Sequence, residues 1–362
     1  MKNSYYCFWV LLFSLYSCSD LSIKKEKIEN NIIEIFTIDK LSSVGATANM
    51  TKINDSLLLA WDQKNSSINW ITKIGKEYKK SAEKHIEHSE YFKTMFWNEG
   101  IINLIDAENY VYSYDTVKGL QHKFKLDLSV PFLQHNFVVY SENTTPIIIN
   151  EKNMYFNIST QSGDLYYEQL KGFSMAKISF DKDSFNNVEY LFQKPKILED
   201  QVKPYPSYCF NGKQIVLIYP NIDSLYIYDI ATKQYSQKHI GNAEYMPHES
   251  ADKKRIFDVD YTLVYDLHHF HYESIKYNPD TKHYVLFYWL PVDKKIKVPM
   301  IEDLRISALV LNENLEPIKY FGTTNLYVGS LCFFNNSSAI PMLLYNDNFK
   351  NNVQFDYKMV NF

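Results

Sequence analysis

Glycine and proline are scarce in this sequence, with 10 and 12 among 362 residues. Their scarcity excludes collagen-like and glycine-rich low-complexity chains, in which these residues dominate the composition. Tight turns must therefore use other residues. The abundant asparagine is suited to them, because it tolerates left-handed backbone angles and hydrogen-bonds its own backbone.

Blocks of basic charge are also missing. No run of five or six lysines and arginines occurs, and the net charge is −4. The chain therefore lacks the electrostatic attraction to phosphates on which nucleic-acid binding depends, and we predict no nucleic-acid partner.

Sequence signatures of catalysis are absent as well. There is no Gly-x-Ser-x-Gly elbow, no reactive-cysteine context and no glycine-rich phosphate loop. A glycosidase needs two carboxyl groups at a defined distance from each other. The chain has 42 carboxylates, but the sequence does not place any two of them at such a distance, so no residue supports a glycosidase mechanism. We therefore predict no catalytic residue and no cofactor.

What the chain has in excess is apolar and aromatic residues. Hydrophobic residues make up 46% of the chain and aromatic residues 16%, including 30 tyrosines and 23 phenylalanines. This composition supplies a large core and excludes intrinsic disorder for most of the chain. The aromatic and β-branched bias favours strands.

The first 20 residues have the pattern of an export signal. Lys2 supplies an early positive charge, an apolar core from Tyr5 to Tyr16 follows, and that core is too short to span a bilayer. The stretch Leu15-Tyr16-Ser17-Cys18 resembles the bacterial lipobox, although Tyr16 departs from the small or β-branched residue usual there. The alternative is a plain cleaved signal peptide with an incidental cysteine.

The lipobox resemblance implies that Cys18 is lipidated and becomes the mature N-terminus. Residues 1–17 are then the signal peptide and residues 18–30 a polar tether. Several acyl chains on one cysteine anchor a protein stably. We expect a lipid anchor in the outer membrane, with the protein facing the periplasm or the cell surface.

Two cysteines are left after such processing, Cys209 and Cys332. They fall in different repeat units and adjoin phenylalanines, which favours two buried thiols. A disulfide between them is the alternative in an oxidising compartment.

The body of the chain repeats one layout, seen most plainly in Lys213–Gln234. An apolar strand, Gln214–Tyr219, is followed by a turn and a second strand, Ser224–Ile230. Units of this kind recur about every 45–70 residues, as expected for blades of a β-propeller. Their aligned strands start near Leu57, Ile101, Ile147, Ile215, Tyr284 and Ile340.

We therefore predict an all-β fold, a β-propeller of six blades over residues 31–362. Strands such as His283–Leu290 are apolar on both faces, as sheets covered on both sides require. The N-terminal strand, residues 31–38, is predicted to complete the last blade and close the ring, which would leave no open edge. Seven blades or a pair of β-sandwiches are the alternatives.

The most conspicuous polar cluster is His268-His269-Phe270-His271. On a strand His269, His271 and Glu273 would share one face, which predicts a binding site, and two histidines with a carboxylate also occur in metal sites. Spacing alone does not establish a metal site, and we predict none. The alternative is that these residues are ordinary polar groups at the surface or between blades, with no binding role.

Three aromatic residues are candidates for stacking on a glycan, because aromatic faces bind sugars while keeping a polar handle. Tyr205, Tyr208 and Trp289 lie near strand ends or proline-rich turns, where the mouth of a propeller would be lined. Packing inside the core or between blades is the alternative for each of them.

Several stretches together resemble a family of Bacteroidetes lipoproteins of unknown function. They are the lipobox, the strand and turn of Ser224–Ile230, and the stretches Ser274–Pro291 and Ile306–Ile318. The resemblance implies a six-bladed propeller behind a lipid anchor and brings no catalytic residues. We expect a monomeric binding or scaffolding module whose partners are the membrane and a glycan or envelope protein. A carbohydrate-active or other hydrolytic enzyme with a site in the central funnel is the alternative.

Overall fold

The computed structural model describes residues 25–27, 32–39, 50–54, 56–62, 65–86, 92–98, 100–126, 128, 137–139, 146–160, 172–181, 184–200, 205–252, 254–255, 258–296, 303, 305–324, 326–327, 339–344 and 354–362. These residues are almost entirely β-structure, which confirms the predicted all-β class. No helix among them is long and apolar enough to cross a membrane. Cys18 and Cys332 lie outside the described residues.

Twenty-six strands occur in the described part of the chain. The first fifteen are β1 Lys25–Lys27, β2 Ile32–Asp39, β3 Met50–Asn54, β4 Leu57–Asp62, β5 Ser67–Ile74, β6 Glu77–His85, β7 Phe92–Asn98, β8 Ile101–Asp106, β9 Tyr110–Asp115, β10 Gly119–Lys125, β11 Phe137–Val139, β12 Ile148–Asn150, β13 Asn153–Thr160, β14 Phe173–Asp181 and β15 Ser184–Gln193.

A short 3-10 helix, Lys196–Asp200, separates these from the remaining strands, and one α-helix, α1, is described at Val259–Leu267. The other strands are β16 Ser207–Phe210, β17 Gln214–Ile218, β18 Ser224–Asp229, β19 Gln234–His239, β20 His271–Asn278, β21 His283–Leu290, β22 Arg305–Leu311, β23 Pro317–Thr324, β24 Leu326–Tyr327, β25 Ala339–Leu344 and β26 Gln354–Asn361.

The described strands form five sheets. Four contain four or five strands each: β7–β10, β11–β15, β16–β19, and β20–β23 with β1 at its edge. The fifth has eight strands in the order β24-β25-β26-β2-β6-β5-β4-β3. Most neighbours in these sheets are antiparallel and consecutive, so each sheet is built mainly from local hairpins.

Each sheet packs face to face on the next one in chain order. Apolar clusters fill the spaces between them, and their paired members include Trp61 with Leu104, Ile105 with Phe156, Tyr155 with Leu217, Val216 with Leu286, and Phe287 with Val360. The last of these clusters reaches β26, which belongs to the same sheet as β3–β6. The sheets therefore follow one another around a ring.

The strand β21 shows why its sequence is apolar on both faces. Its six central side chains are at most 7% exposed. Alternate residues belong to two different clusters, Val285, Phe287 and Trp289 to one and Tyr284, Leu286 and Tyr288 to the other. A sheet covered on both sides has this arrangement.

The prediction of six blades differs from the five sheets that the described residues form. The difference arises in the eight-stranded sheet, where β2 and β6 are parallel and paired at only two positions, Thr37 with Glu77 and Ile38 with Tyr78. On either side of that short contact lies a run of four strands, β24-β25-β26-β2 and β3–β6. Two four-stranded groups are thus fused into one sheet.

The N-terminal strand β2 lies antiparallel to β26, close to the C-terminus. Their register runs from Ile32 opposite Val360 to Asp39 opposite Gln354, with one irregularity near Ile32. A strand from one end of the chain therefore shares its backbone hydrogen bonds with a strand from the other end.

Part of the predicted tether is also a strand. Lys25–Lys27 forms β1, which runs parallel to β23 and extends the sheet of β20–β23. A segment of three charged residues has no apolar face, so its sequence alone resembled a solvated linker.

Asparagine shapes the turns through its side chain more than through left-handed angles. Among the described non-glycine residues with positive φ, only Asn109 is an asparagine. Elsewhere the side-chain oxygen accepts a backbone N–H at 2.9 Å, as in the pairs Asn211 with Lys213, Asn278 with Asp280 and Asn312 with Glu316. This is the turn in which an asparagine side chain replaces a backbone carbonyl.

Candidate functional site

The longest described connection between two sheets is the segment 240–270, which links β19 to β20 and carries α1. The helix begins at Asp258, whose carboxylate accepts the backbone N–H of Tyr261 at 3.1 Å. It ends at His268, whose backbone N–H donates to Val264 O at 3.1 Å. Leu267 O accepts from the N–H of Val292 at 2.8 Å, which fixes the helix end against the exit of β21.

Three histidine rings meet where this segment returns to the sheet. The ring of His248 lies 5.0 Å from that of His269 and 4.8 Å from that of His271, measured between ring centroids. Tyr265 stacks on His269 at 4.0 Å, and Trp289 meets His271 edge-on at 6.2 Å. We call these five residues the histidine cluster.

Each of the three rings has one nitrogen fixed by a backbone carbonyl. His248 Nε2 bonds to Phe270 O, His269 Nδ1 to Tyr265 O at 2.6 Å, and His271 Nε2 to Asp266 O at 3.0 Å. A carbonyl oxygen only accepts hydrogen bonds, so these ring nitrogens carry the proton and donate. In the neutral ring the other nitrogen is then an acceptor.

Two of those acceptors lie inside the protein without a donor among the described residues. Within the part of the chain that the structure describes, His248 Nδ1 and His269 Nε2 are buried and receive no hydrogen bond. Buried polar atoms in native proteins are nearly always satisfied, so each such atom calls for an explanation. An acceptor of this kind suits a ligand or a bound water that donates a hydrogen bond.

The ring of His248 is held neutral at physiological pH. Burial lowers the pKa of His248 to about 4, and this effect outweighs the carbonyl of Phe270, which raises the pKa. The neighbouring His269 lowers it further. Burial likewise raises the pKa of Tyr265 well above its usual value, so its hydroxyl stays protonated and donates to Glu249 O.

The surroundings carry both signs of charge. Glu249 pairs with Lys294 at 2.9 Å, and Asp266 Oδ1 lies 3.5 Å from His271 Nε2. Among the described residues, no three histidine, cysteine, aspartate or glutamate side chains are arranged to hold a metal ion.

The histidines predicted from sequence come together, but not on one strand face. β20 begins only at His271, and His269 lies before it in the connection from α1. Glu273 sits where the register between β20 and β21 shifts, which breaks the regular alternation of side chains. His248 was missed because it lies in a connection with no periodic pattern.

The predicted aromatic residues lie in different surroundings. Trp289 belongs to the histidine cluster and is 7% exposed. Tyr208 is fully buried in the core between β13 and β17, and its hydroxyl donates to Pro146 O at 2.8 Å. Tyr205 is half-buried, and Lys194 Nζ lies 5.9 Å from its ring. Burial lowers the pKa of Lys194 to about 8.

Of the two remaining cysteines, Cys209 is a buried free thiol. Burial raises the pKa of this thiol to about 12, so it is unreactive at neutral pH.

A second polar group next to the cluster was not predicted. The hydroxyls of Tyr272 and Tyr288 donate to Asp223 and Glu244, the second at 2.6 Å. The ring of Tyr288 stacks on Phe270 at 5.2 Å, so this group adjoins the residue whose carbonyl holds His248.

No family model matches the chain, and no curated protein matches it. Solved structures do resemble it. A member of the DUF4221 family from Bacteroides vulgatus superposes with a TM-score of 0.68 at 11% identity, over 91% of this chain and 96% of that one. An exported-protein candidate from Bacteroides fragilis superposes with a TM-score of 0.53 at 16% identity, over 93% and 99%.

The fold is a β-propeller. At these identities the likeness extends to the fold alone. The described sheets supply the blades of this propeller, and the segment 240–270, which we call the insertion, connects two of the sheets.

Proposed function

We propose that this propeller is an exported, lipid-anchored binding module of the cell envelope, and that it binds its ligand at the histidine cluster. Two observations support export: the signal-like residues 1–17 ahead of Cys18, and the likeness in fold to an exported-protein candidate. The anchor lies in the outer membrane and the module faces the periplasm or the cell surface.

One observation carries the choice of site. The insertion brings His248 against His269 and His271, which lie at its return to β20, and the buried acceptor nitrogens of His248 and His269 receive no hydrogen bond from the described residues. An all-apolar contact would pack this space without leaving polar atoms unsatisfied.

The chemistry of the cluster favours a neutral ligand rich in hydroxyl groups, such as an envelope glycan. Neutral imidazole nitrogens accept hydrogen bonds from hydroxyls, and Tyr265 and Trp289 add aromatic surface beside them. An anionic ligand gains nothing from the uncharged ring of His248.

The binding site is tested with neutral oligosaccharides released from the cell envelope, assayed by calorimetry and thermal shift. His269→Phe keeps the ring shape and removes the acceptor, so it should weaken binding about tenfold, as expected for one lost hydrogen bond. His85→Phe is the matched control, because His85 is exposed in β6, and it should bind as wild type does. Equal affinity for the two variants would contradict the site.

The anchor is tested by metabolic labelling with an alkyne fatty acid. Wild-type protein should incorporate the label and partition with membranes, whereas Cys18→Ala should do neither. Labelling of Cys18→Ala at the wild-type level would rule out Cys18 as the lipidated residue.

We further propose that the chain is related to the Bacteroidetes lipoproteins that it resembles and that its ring has six blades. The two runs of four strands in the eight-stranded sheet, joined at only two positions, support that count.

A further inference from the structure

The segment that follows Cys18 docks on the propeller through β1. Lys25, Glu26 and Lys27 lie opposite Tyr320, Phe321 and Gly322 in a parallel ladder with β23. This contact covers the free backbone edge of β23, which otherwise has β22 on one side only.

Two ion pairs of opposite polarity reinforce the ladder. Lys25 Nζ lies 2.5 Å from Glu244 Oε1, and Lys319 Nζ lies 3.0 Å from Glu26 Oε2. Glu244 is itself held by the hydroxyl of Tyr288, at 2.6 Å from Oε2. The alternating charges of the segment therefore match the surface on which it lies.

Gly322 permits the close approach of β1. A Cβ at this position would lie 3.2 Å from Lys25 Cε and 3.3 Å from Glu26 O. The second contact is with backbone, which has less room to move than the end of a lysine side chain. Because Gly322 has no side chain, β1 can lie this close to β23.

We propose that β1 holds the propeller against the lipid bilayer with the sheet of β20–β23 and the insertion toward the membrane. This inference rests on the proposed lipidation of Cys18. The seven residues from Cys18 to Lys25 reach at most about 25 Å when fully extended. Without β1 the tether would extend from Cys18 to β2 at Ile32, over at most about 50 Å. A tether of that length would not orient the propeller.

The consequence for function is that the histidine cluster stays near the membrane surface. Glu244 belongs to the insertion and contacts Lys25, so docking of β1 and placement of the insertion are linked by a direct ion pair. The ligand would then be met close to the bilayer, as for a glycan carried on a lipid.

Docking itself is tested by hydrogen exchange on the full-length lipidated protein. Amides of residues 25–27 should exchange slowly. Glu26→Lys should raise their exchange rate at least severalfold, because it places a lysine against Lys319. The charge swap Glu26→Lys with Lys319→Glu should restore protection. Fast exchange in wild type, or no rescue by the swap, would overturn the docked strand.

Orientation is tested in phosphatidylethanolamine–phosphatidylglycerol vesicles that contain a nitroxide-labelled lipid. A fluorophore is placed at Ile318→Cys, beside β1, or at Leu120→Cys on another blade, in a Cys332→Ser background. The two sites are matched in exposure, at 41% and 40%. Quenching should be several times stronger at position 318.

Gly322→Val should displace β1 and make quenching at the two positions equal. Equal quenching in the parent protein would overturn the proposed orientation. Each sample is also assayed for lipid on Cys18, so loss of the anchor is distinguished from loss of orientation. The charge-reversal variant Glu26→Lys provides the same comparison if Gly322→Val fails to fold.

Discussion

At His248, burial and hydrogen bonding act on one ring with opposite effects on its pKa. Burial disfavours the charged form most strongly, the carbonyl of Phe270 favours it, and the adjacent His269 disfavours it. The balance leaves a neutral ring whose Nδ1 is an acceptor. The acceptor character of the site therefore depends on keeping this ring out of water.

This balance predicts loss of stability in acid. The folded pKa of His248, about 4, lies below the unfolded value near 6.5. Between these two values the unfolded chain binds a proton that the folded chain does not, so stability falls as pH falls through this window. The loss should be on the order of 2 kcal/mol, measured by urea unfolding at pH 7 and pH 4.5.

The variant His248→Phe should lose this part of the acid dependence, whatever its stability at pH 7. His85→Phe should keep it, since His85 is exposed. An identical pH dependence in wild type and His248→Phe would show that His248 is not the group that titrates.

The turn between β22 and β23 offers a second test at the residue scale. The side-chain oxygen of Asn312 accepts the N–H groups of Asn314 and Glu316, both at 2.9 Å. Asn312→Ala removes both bonds and should destabilise the protein by about 1 kcal/mol. Asn314→Ala, in the same turn, should change stability by less than about 0.5 kcal/mol in the same unfolding assay. Equal losses would contradict the role assigned to the Asn312 side chain.

Individual side chains were the hardest feature to predict from sequence. His269 and His271 stood out because they are close in the chain. His248 did not, because a nonrepeating connection gives no indication of what it packs against. The proline-rich context of Tyr208 predicts a place at the mouth of the propeller, yet its side chain is buried in the core. Its position on β16 decides which way it faces, and β16 was not predicted.

At the scale of elements, the repeat was found but its starting point was displaced by one strand. The predicted starts Leu57 and Ile101 open β4 and β8, the second strands of their groups. The sequence does not predict the first strands, β3 and β7, because their polar and apolar residues mix without clear alternation. The spacing between units still identifies the repeat, because equivalent strands are aligned with each other.

Deletions at the N-terminus test the strands β1 and β2. Removing residues 31–38 takes away most of β2 and exposes the edge of β26, so it should lower the melting temperature far more than removing residues 19–30. Removing residues 19–30 takes away β1 and should cost about 2 °C or less, as expected for a short strand with exposed ion pairs. Equal melting temperatures for the two deletions would contradict closure of the ring by β2.

At the scale of the whole molecule, the fold was predictable because two-sided apolar strands separated by short turns admit few architectures. Sheets covered on both faces must stack, and a ring of stacked sheets leaves few exposed edges. The number of separate sheets was not predictable, because it depends on whether β2 and β6 pair at two positions. Such a contact leaves no mark on the sequence pattern.

The fold does not determine the class of ligand, so the proposed ligand depends on the histidine cluster. The most direct measurement is the ¹⁵N spectrum of the histidine rings at pH 6, with and without envelope oligosaccharide. We expect that His248 is neutral with its proton on Nε2, and that ligand shifts the signals of the acceptor nitrogens of His248 and His269. A charged His248 at this pH, or ring signals unmoved by an oligosaccharide that binds, would contradict this expectation.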